Sequence, residues 1–225
     1  MPIDAVLIGA GGFGREVLDV IEAHNRVHGI DSEERIRILG VVDDAPSELN
    51  LKRLDDRGYL HLGGISELLR EYPSGRYLLG VGDPNTKRKI AEALEKSGWS
   101  PVTVIHPNAV IGSVQGIGQG SIICGGVQLS TNTLLGRHVH LNPSVTIGHD
   151  AVLNDYVSVN PGAIVSGEVT VGTGTLIGAG ATILQGLSIG DRALVGACAC
   201  VTRKVDNEIL VVGVPARPHL EVSGS

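Results

Sequence analysis

Aromatic side chains are scarce in this sequence: one Phe, one Trp and four Tyr among 225 residues. After Trp99 only Tyr156 remains, so a core built by the second half of the chain must be narrow and aliphatic. Cysteine is sparse too. Cys124, Cys198 and Cys200 are an odd set without framework spacing, which excludes a disulfide scaffold and reads as reduced packing residues in a cytosolic protein. No apolar run approaches the roughly 18 residues of a membrane span. Lys and Arg number 18 against 24 Asp and Glu, a net charge of -6 with no basic run, so a nucleic-acid footprint is not indicated. Met1 to Ala10 has no basic leader and runs directly into an apolar segment, so neither a signal peptide nor membrane insertion is expected, and the protein reads as cytoplasmic.

What is abundant is glycine, 32 residues, and much of it is periodic. Stepping by six from Ile111, the chain reads Ile117, Ile123, Leu129, Leu135, Leu141, Ile147, Leu153, Val159, Val165, Val171, Ile177, Ile183, Ile189, Val195 and Val201, sixteen aliphatic positions with no insertion. Four residues after most of them stands a small or β-branched residue, from Ser121 and Val127 to Thr175 and Ala181, and Gly often follows the aliphatic directly, as in Gly112, Gly118 and Gly148. A fixed repeat of this kind overrides local propensity. Six residues fit neither a helix nor a simple amphipathic strand. They fit a short strand and a corner with one aliphatic pointing inward, three such sides closing a coil of 18 residues that stacks at about 4.8 Å. The repeat makes about five coils, with Gly and Asn expected at the tight corners. Pro and Gly in the stretch from Gly213 to Arg217 stop the coil, and the polar residues from Glu221 to Ser225 are expected to fray.

Charged residues crowd the first hundred positions and thin out through the repeat, which divides the chain into 1–104 and 105–225. The first part reads as a small βαβ domain. Asp4 to Ile8 is a strand, a helix runs through His24, and Ile36 to Val42 is a second strand. Pro46 to Gly64 shows no periodicity and reads as a loop. Ser66 caps a helix to Tyr72, Tyr77 to Val81 is a third strand, Gly82 to Asn85 a turn, Thr86 to Ser97 a helix, and Pro101 to Ile105 a fourth strand. Gly9, Gly11, Gly12 and Gly14, with Ala10 and Phe13 between them, form G-x-G-x-x-G at a strand-to-helix turn, which aims backbone N–H groups at a phosphate. Asp43 and Asp44 end the second strand, where a ribose or base is usually held. An NAD-dependent dehydrogenase would need two mononucleotide halves, and the chain has about one and a half before the repeat begins. The loop therefore reads as a site for the diphosphate of a nucleotide or nucleotide-sugar. A glycine turn serving only strand–helix packing is the alternative. Arg15 at the helix start could reach that phosphate or be a solvated helix residue.

Within the repeat large polar side chains are few. His149 and Asp150 follow Ile147-Gly148, and 18 residues either way from His149 lie Thr131 and Gly167, small neighbours that leave an imidazole exposed. Asn142 has Asn160 one coil above it. A neutral His can take a proton from an amine or hydroxyl attacking a thioester, and an adjacent carboxylate can orient it. A solvated corner residue is the bland reading.

Gly9 to Gly14, Asp43-Asp44, Gly82 to Asn85, Ile105-His106-Pro107, Asn142 to Asp150 and Val212 to Arg217 occur in this order over nearly the whole chain. Together they resemble the bacterial sugar acetyltransferases that include nucleotide-amino-sugar N-acetyltransferases and sialic acid O-acetyltransferases. The resemblance implies an α/β Rossmann-like N-terminal domain followed by a left-handed parallel β-helix of hexapeptide repeats with a C-terminal cap, packed as a homotrimer. It implies His149 as general base assisted by Asp150, and acetyl-CoA in a groove between two β-helices. Asn142, Ser158, Gly167, Ala179, Ala197, Pro215 and Arg217 would line that groove. Gly9, Gly11, Gly12, Phe13, Gly14, Arg15, Asp43, Asp44, Gly82 and Asn85 would hold the nucleotide-sugar acceptor. Several relatives carry His where this chain has Phe13 and Ser158, so fine specificity does not transfer. His138 and His140 share a strand face, but gaps of two and nine residues among 138, 140 and 149 do not match the five-residue His pair of zinc-binding β-helix enzymes, and no metal is expected. The expected reaction is acetyl transfer from acetyl-CoA to the amine of a nucleotide-activated sugar. O-acetylation of a sugar hydroxyl and a non-catalytic nucleotide-binding scaffold are the rivals.

Overall fold

A computed structural model describes residues 1–29 and 32–219. Residues 221–225, expected to fray, lie outside the described residues. By its contacts the chain forms two compact units, Met1–Pro107 with Gln119–Ile122, and the remainder. No helix among the described residues is long and apolar enough to cross a membrane.

The first unit is a parallel sheet in the order β2-β1-β3-β4, from β1 (Ile3–Ile8), β2 (Ile36–Val42), β3 (Arg76–Leu79) and β4 (Ser100–Pro101). The apolar run of β1 is buried from Ala5 to Ile8, as befits a strand flanked by two others. α1 (Gly12–Val27) buries Val17, Leu18, Val20 and Ile21, the apolar stripe read from the sequence, and continues three residues past His24. β2 keeps its expected bounds. A register shift opposite Ala5 and Val6 leaves Leu39 without a partner, and Gly40 lies against Leu62, where a Cβ would come within 2.5 Å of that side chain.

Four local expectations need correction. The stretch 46–64 contains a helix, α2 (Glu48–Asp55), capped by the Ser47 hydroxyl accepting from the Asn50 N–H. Only Leu54 of that helix is buried, so it leaves no apolar period to read. α3 (Ile65–Glu71) is capped at Gly64, not at Ser66; the Glu67 carboxylate accepts from the Gly64 N–H at 2.7 Å. α4 (Pro84–Lys96) starts inside the expected turn, because Asp83 accepts from the Thr86 N–H at 2.8 Å and Pro84 suits the first helical position. The expected fourth strand ends at Pro101 as β4, and β5 (Val104–Ile105) is a separate strand outside that sheet.

The second unit obeys the six-residue rule throughout. β6 to β21 are two-residue strands from Val110–Ile111 to Cys200–Val201, each ending on one of the sixteen aliphatic residues. Each pairs in parallel with a strand 18 residues away, as Leu135 with Leu153 and Val165 with Ile183. Three ladders result, carrying β6-β9-β12-β15-β18-β21, β7-β10-β13-β16-β19 and β11-β14-β17-β20, the last continued by β22 (Leu210–Val212). β23 (Arg217–Pro218) folds back antiparallel on β22. The aliphatic ladders and the small residues from Ser121 to Ala181 are almost entirely buried, so the prism core is made of stacked like residues.

The corners differ from expectation in one respect. Every sixth residue from Val114 to Cys198 has a positive φ, between 52° and 77°, yet Val114, His138, Ser144, Asp150, Tyr156, Glu168, Arg192 and Cys198 occupy such positions as well as Gly and Asn. The glycines that follow the aliphatics do something else. A Cβ on Gly148 would overlap the backbone of the next coil, with the Ser166 carbonyl carbon 2.6 Å away, and Gly112, Gly172 and Gly178 meet the same obstacle. Glycine there permits close stacking of coils. His138 is also a corner residue, at φ 54°, stacked on Tyr156 with ring centroids 5.3 Å apart, whereas His140 opens β11 (His140–Leu141). The two do not share a strand face.

Candidate active site

His149 lies on the corner between β12 (Thr146–Ile147) and β13 (Val152–Leu153). Gly148 lets the next coil approach, and Asp150 takes the positive φ of the turn, 58°. The His149 Nδ1 is 2.7 Å from the Asp150 Oδ2, with the two side chains 47% and 48% exposed, so both are open to a ligand. The Asn132 amide, one coil earlier, donates to the Asp150 Oδ1 at 3.1 Å. Hydrogen bonds from His149 first and then Asn132 hold the Asp150 carboxyl below its usual range. Glu168, one coil after Asp150, brings a second carboxylate; one polar atom each of His149, Asp150 and Glu168 lie within 4.8 Å of one another.

Gly167 is buried against the imidazole. A Cβ added there would stand 2.5 Å from the His149 Nε2 and 2.6 Å from Cε1. Because Nδ1 faces a carboxylate that only accepts, the neutral ring carries its proton on Nδ1 and leaves the Nε2 lone pair free. A side chain at 167 would cover that nitrogen.

The other groove residues do not gather around His149. Asn142 precedes β12 and donates to the Asn160 Oδ1 at 3.2 Å, and exposed Ala179 and Ala197 lie on the same corner in later coils. They border the face that carries β12, β15 and β18 on one edge, while His149 and Gly167 border it on the other. Ser158 is 2% exposed and pairs in register with His140. Pro215 and Arg217 are exposed, and Arg217 lines a cavity of about 270 Å³ together with Arg203 and Lys204.

In the first unit the glycines of the loop and of the turn at Gly82 are of two kinds. Gly9, at φ 108°, and Gly14 pack so closely on one another and on Gly80 that no side chain fits. Gly11, Gly12 and Gly82 are different: a Cβ on any of them would meet nothing within 4 Å, and none has a left-handed φ. Neither packing nor a left-handed conformation requires glycine at these three positions, and Gly11 is also the N-cap of α1. Asp43 is already engaged, its Oδ2 accepting from the Ala10 N–H at 2.8 Å and its Oδ1 from the Ala45 N–H at 3.0 Å, so it braces the glycine loop. Asp44 accepts from the Ile65 N–H at 2.7 Å. Arg15 donates to the Ala10 carbonyl at 3.0 Å and to the Asn50 Oδ1 at 2.6 Å, in place of full solvation. Phe13 is half-buried in the first turn of α1, and Asn85 is exposed in the first turn of α4.

Asn132, Glu168 and Asn50 were not read from the sequence. The step of 18 residues applied to Asp150, as it was to His149, leads to Asn132 and Glu168. Nothing comparable reveals Asn50, which depends on the placement of α2.

Residues 4–94 match the family model described as the PglD N-terminal domain. Over 137 residues the chain is 33% identical to GDP-perosamine N-acetyltransferase of Escherichia coli O157:H7, covering 60% of this chain and 58% of that protein. The chain thus spans little more than half the length of that curated relative. Among solved structures it resembles PerB from Caulobacter crescentus in complex with CoA and GDP-perosamine, at 27% identity and a TM-score of 0.83, covering 96% of this chain and 97% of that one. It also resembles WeeI from Acinetobacter baumannii AYE, at 30% identity and a TM-score of 0.81, covering 97% of this chain and 100% of that one.

Proposed function

Because the chain belongs to the bacterial sugar acetyltransferases built on a left-handed β-helix, we propose that it transfers the acetyl group of acetyl-CoA to the amine of a nucleotide-activated amino sugar. The observation that carries the reading is the His149 imidazole, held by Asp150 at Nδ1 and open at Nε2 over Gly167.

The amine nitrogen attacks the thioester carbonyl carbon, and His149 Nε2 takes the proton that the nitrogen loses. Collapse of the tetrahedral intermediate breaks the C–S bond, and the proton passes from the imidazolium to the departing thiolate. Asp150 stabilises the imidazolium in between without itself becoming protonated. No covalent acyl-enzyme is needed. Acetyl-CoA supplies the acetyl thioester and leaves as CoA, the form bound in the Caulobacter relative.

The residues proposed for the donor bracket one flat face of the prism from two edges. A second chain packed against that face would turn it into a groove and bring an edge from each chain to one ligand, an arrangement that a homotrimer would provide; the cytoplasm, where nucleotide-sugars and acetyl-CoA are made, is the proposed compartment. Asn142, Ala179 and Ala197 would then meet CoA beside His149 and Gly167, with Ser158 further in and Pro215 and Arg217 toward its nucleotide end. The glycine loop, with Gly82 and Asn85 beside α4, takes the acceptor nucleotide.

A binding experiment tests the acceptor site. Gly12→Ala should weaken GDP-perosamine binding in calorimetric titration by roughly tenfold, about 1.4 kcal/mol, with the melting temperature unchanged because nothing lies within 4 Å of the new methyl group. Unchanged affinity would remove the loop from the site.

A further inference from the structure

We propose that Asn132 is the positioning residue of the His149–Asp150 pair: from one coil earlier its amide holds the Asp150 Oδ1 and thereby leaves the Oδ2 for the His149 Nδ1. This rests on the reading of His149 as base and adds the device that aims it.

An ionised carboxylate only accepts, so the 3.1 Å contact is a donation from the Asn132 Nδ2. Asp150 has a short, half-exposed side chain whose χ2 torsion is broad, and left alone its carboxylate plane would swing away from the imidazole. With the amide on one oxygen and the imidazole on the other, a single arrangement remains.

The backbone alone does not demand Asn at this place. Residue 132 has φ 57°, a value that favours Asn, but Val114, Ser144, Tyr156 and Cys198 take the same conformation at equivalent corners. What distinguishes 132 is its place in the column Asn132, Asp150, Glu168, separated by 18 residues each. The groups facing Asp150 are therefore the Asn132 amide on one side, Glu168 on the other with Gln185 at 3.5 Å from it, and His149 on its own corner. Exchanging the amide for a carboxylate would set negative charge on both sides of Asp150 and lose the donor.

Two variants test this. Asn132→Gly keeps the positive φ and removes the amide; Asn132→Asp keeps the size and reverses the hydrogen-bonding role. The titration of His149 is followed by NMR on the full chain without substrate, its signal identified by loss in His149→Ala. In the wild type the neutral imidazole should carry its proton on Nδ1. Asn132→Gly should lose that single-tautomer signature, and Asn132→Asp should raise the His149 midpoint by about half a pH unit, the effect of one added carboxylate a coil away in a mostly aqueous setting. In the thiol-release assay with acetyl-CoA and GDP-perosamine, Asn132→Gly should lower kcat roughly tenfold with the KM for acetyl-CoA unchanged. Wild-type titration and tautomer in both variants, with unchanged thermal melts, would overturn the proposal. Full activity of His149→Ala would instead overturn the base assignment, leaving the NMR result to judge Asn132 separately.

Discussion

His149→Ala is expected to lower kcat by roughly 10²-fold or more, the scale of a lost general base, while the KM for acetyl-CoA stays near its wild-type value. The ring is nearly half exposed, so the fold should survive its removal. An effect on KM alone would show that the imidazole binds substrate without taking the proton. The pH dependence adds a second criterion. The Asp150 pKa is depressed in the folded chain, by His149 first and Asn132 second, so the ionised partner is present above the ordinary carboxylate range and is lost only as the pH falls through the depressed value. The acid limb of kcat/KM should therefore report the base itself, with Asp150 already charged across it.

Gly167→Ala should be the second severe loss, roughly 10²-fold in kcat, with little loss of stability. Its new methyl group would stand 2.5 Å from the His149 Nε2, and the only group that must move is the exposed imidazole. Displacing a catalytic group by about 1 Å is enough for a loss of this size. Gly148→Ala gives the contrast. There the Cβ meets the backbone at Ser166 and Gly167, which cannot turn aside, so the coils must separate and stability should fall by several kcal/mol. A chemical-denaturation midpoint for each variant, beside its kcat, separates the two cases. Loss of stability in Gly167→Ala equal to that in Gly148→Ala would contradict the assignment of the ring to that position.

The prism was legible because its signal is repeated: sixteen aliphatic residues in one register leave no alternative period, and the 18-residue pairing of Leu135 with Leu153 follows from it. β2 was legible because Ile36 to Val42 is apolar and bounded by turn residues. α2 was not, since a helix that buries only Leu54 is held by its Ser47 cap and its neighbours. At the site, the small neighbour above His149 could be counted from the sequence, but the reason it must be Gly could not, because that depends on which way the imidazole lies. Asp43 and Asp44 illustrate the opposite limit. Their place at the end of β2 could be read from the sequence, but that both carboxylates accept backbone N–H groups of their own unit is revealed only by tertiary structure.

The most direct test of the whole account is the product. The full chain is incubated with acetyl-CoA and each of a set of GDP-, UDP-, dTDP- and CMP-activated amino sugars, and the products are weighed by mass spectrometry before and after mild alkali. One acetyl group gained by an amino sugar, stable to alkali and absent with His149→Ala, is the predicted result. An alkali-labile ester, or no acetyl transfer and no free thiol with any of these acceptors, would contradict it.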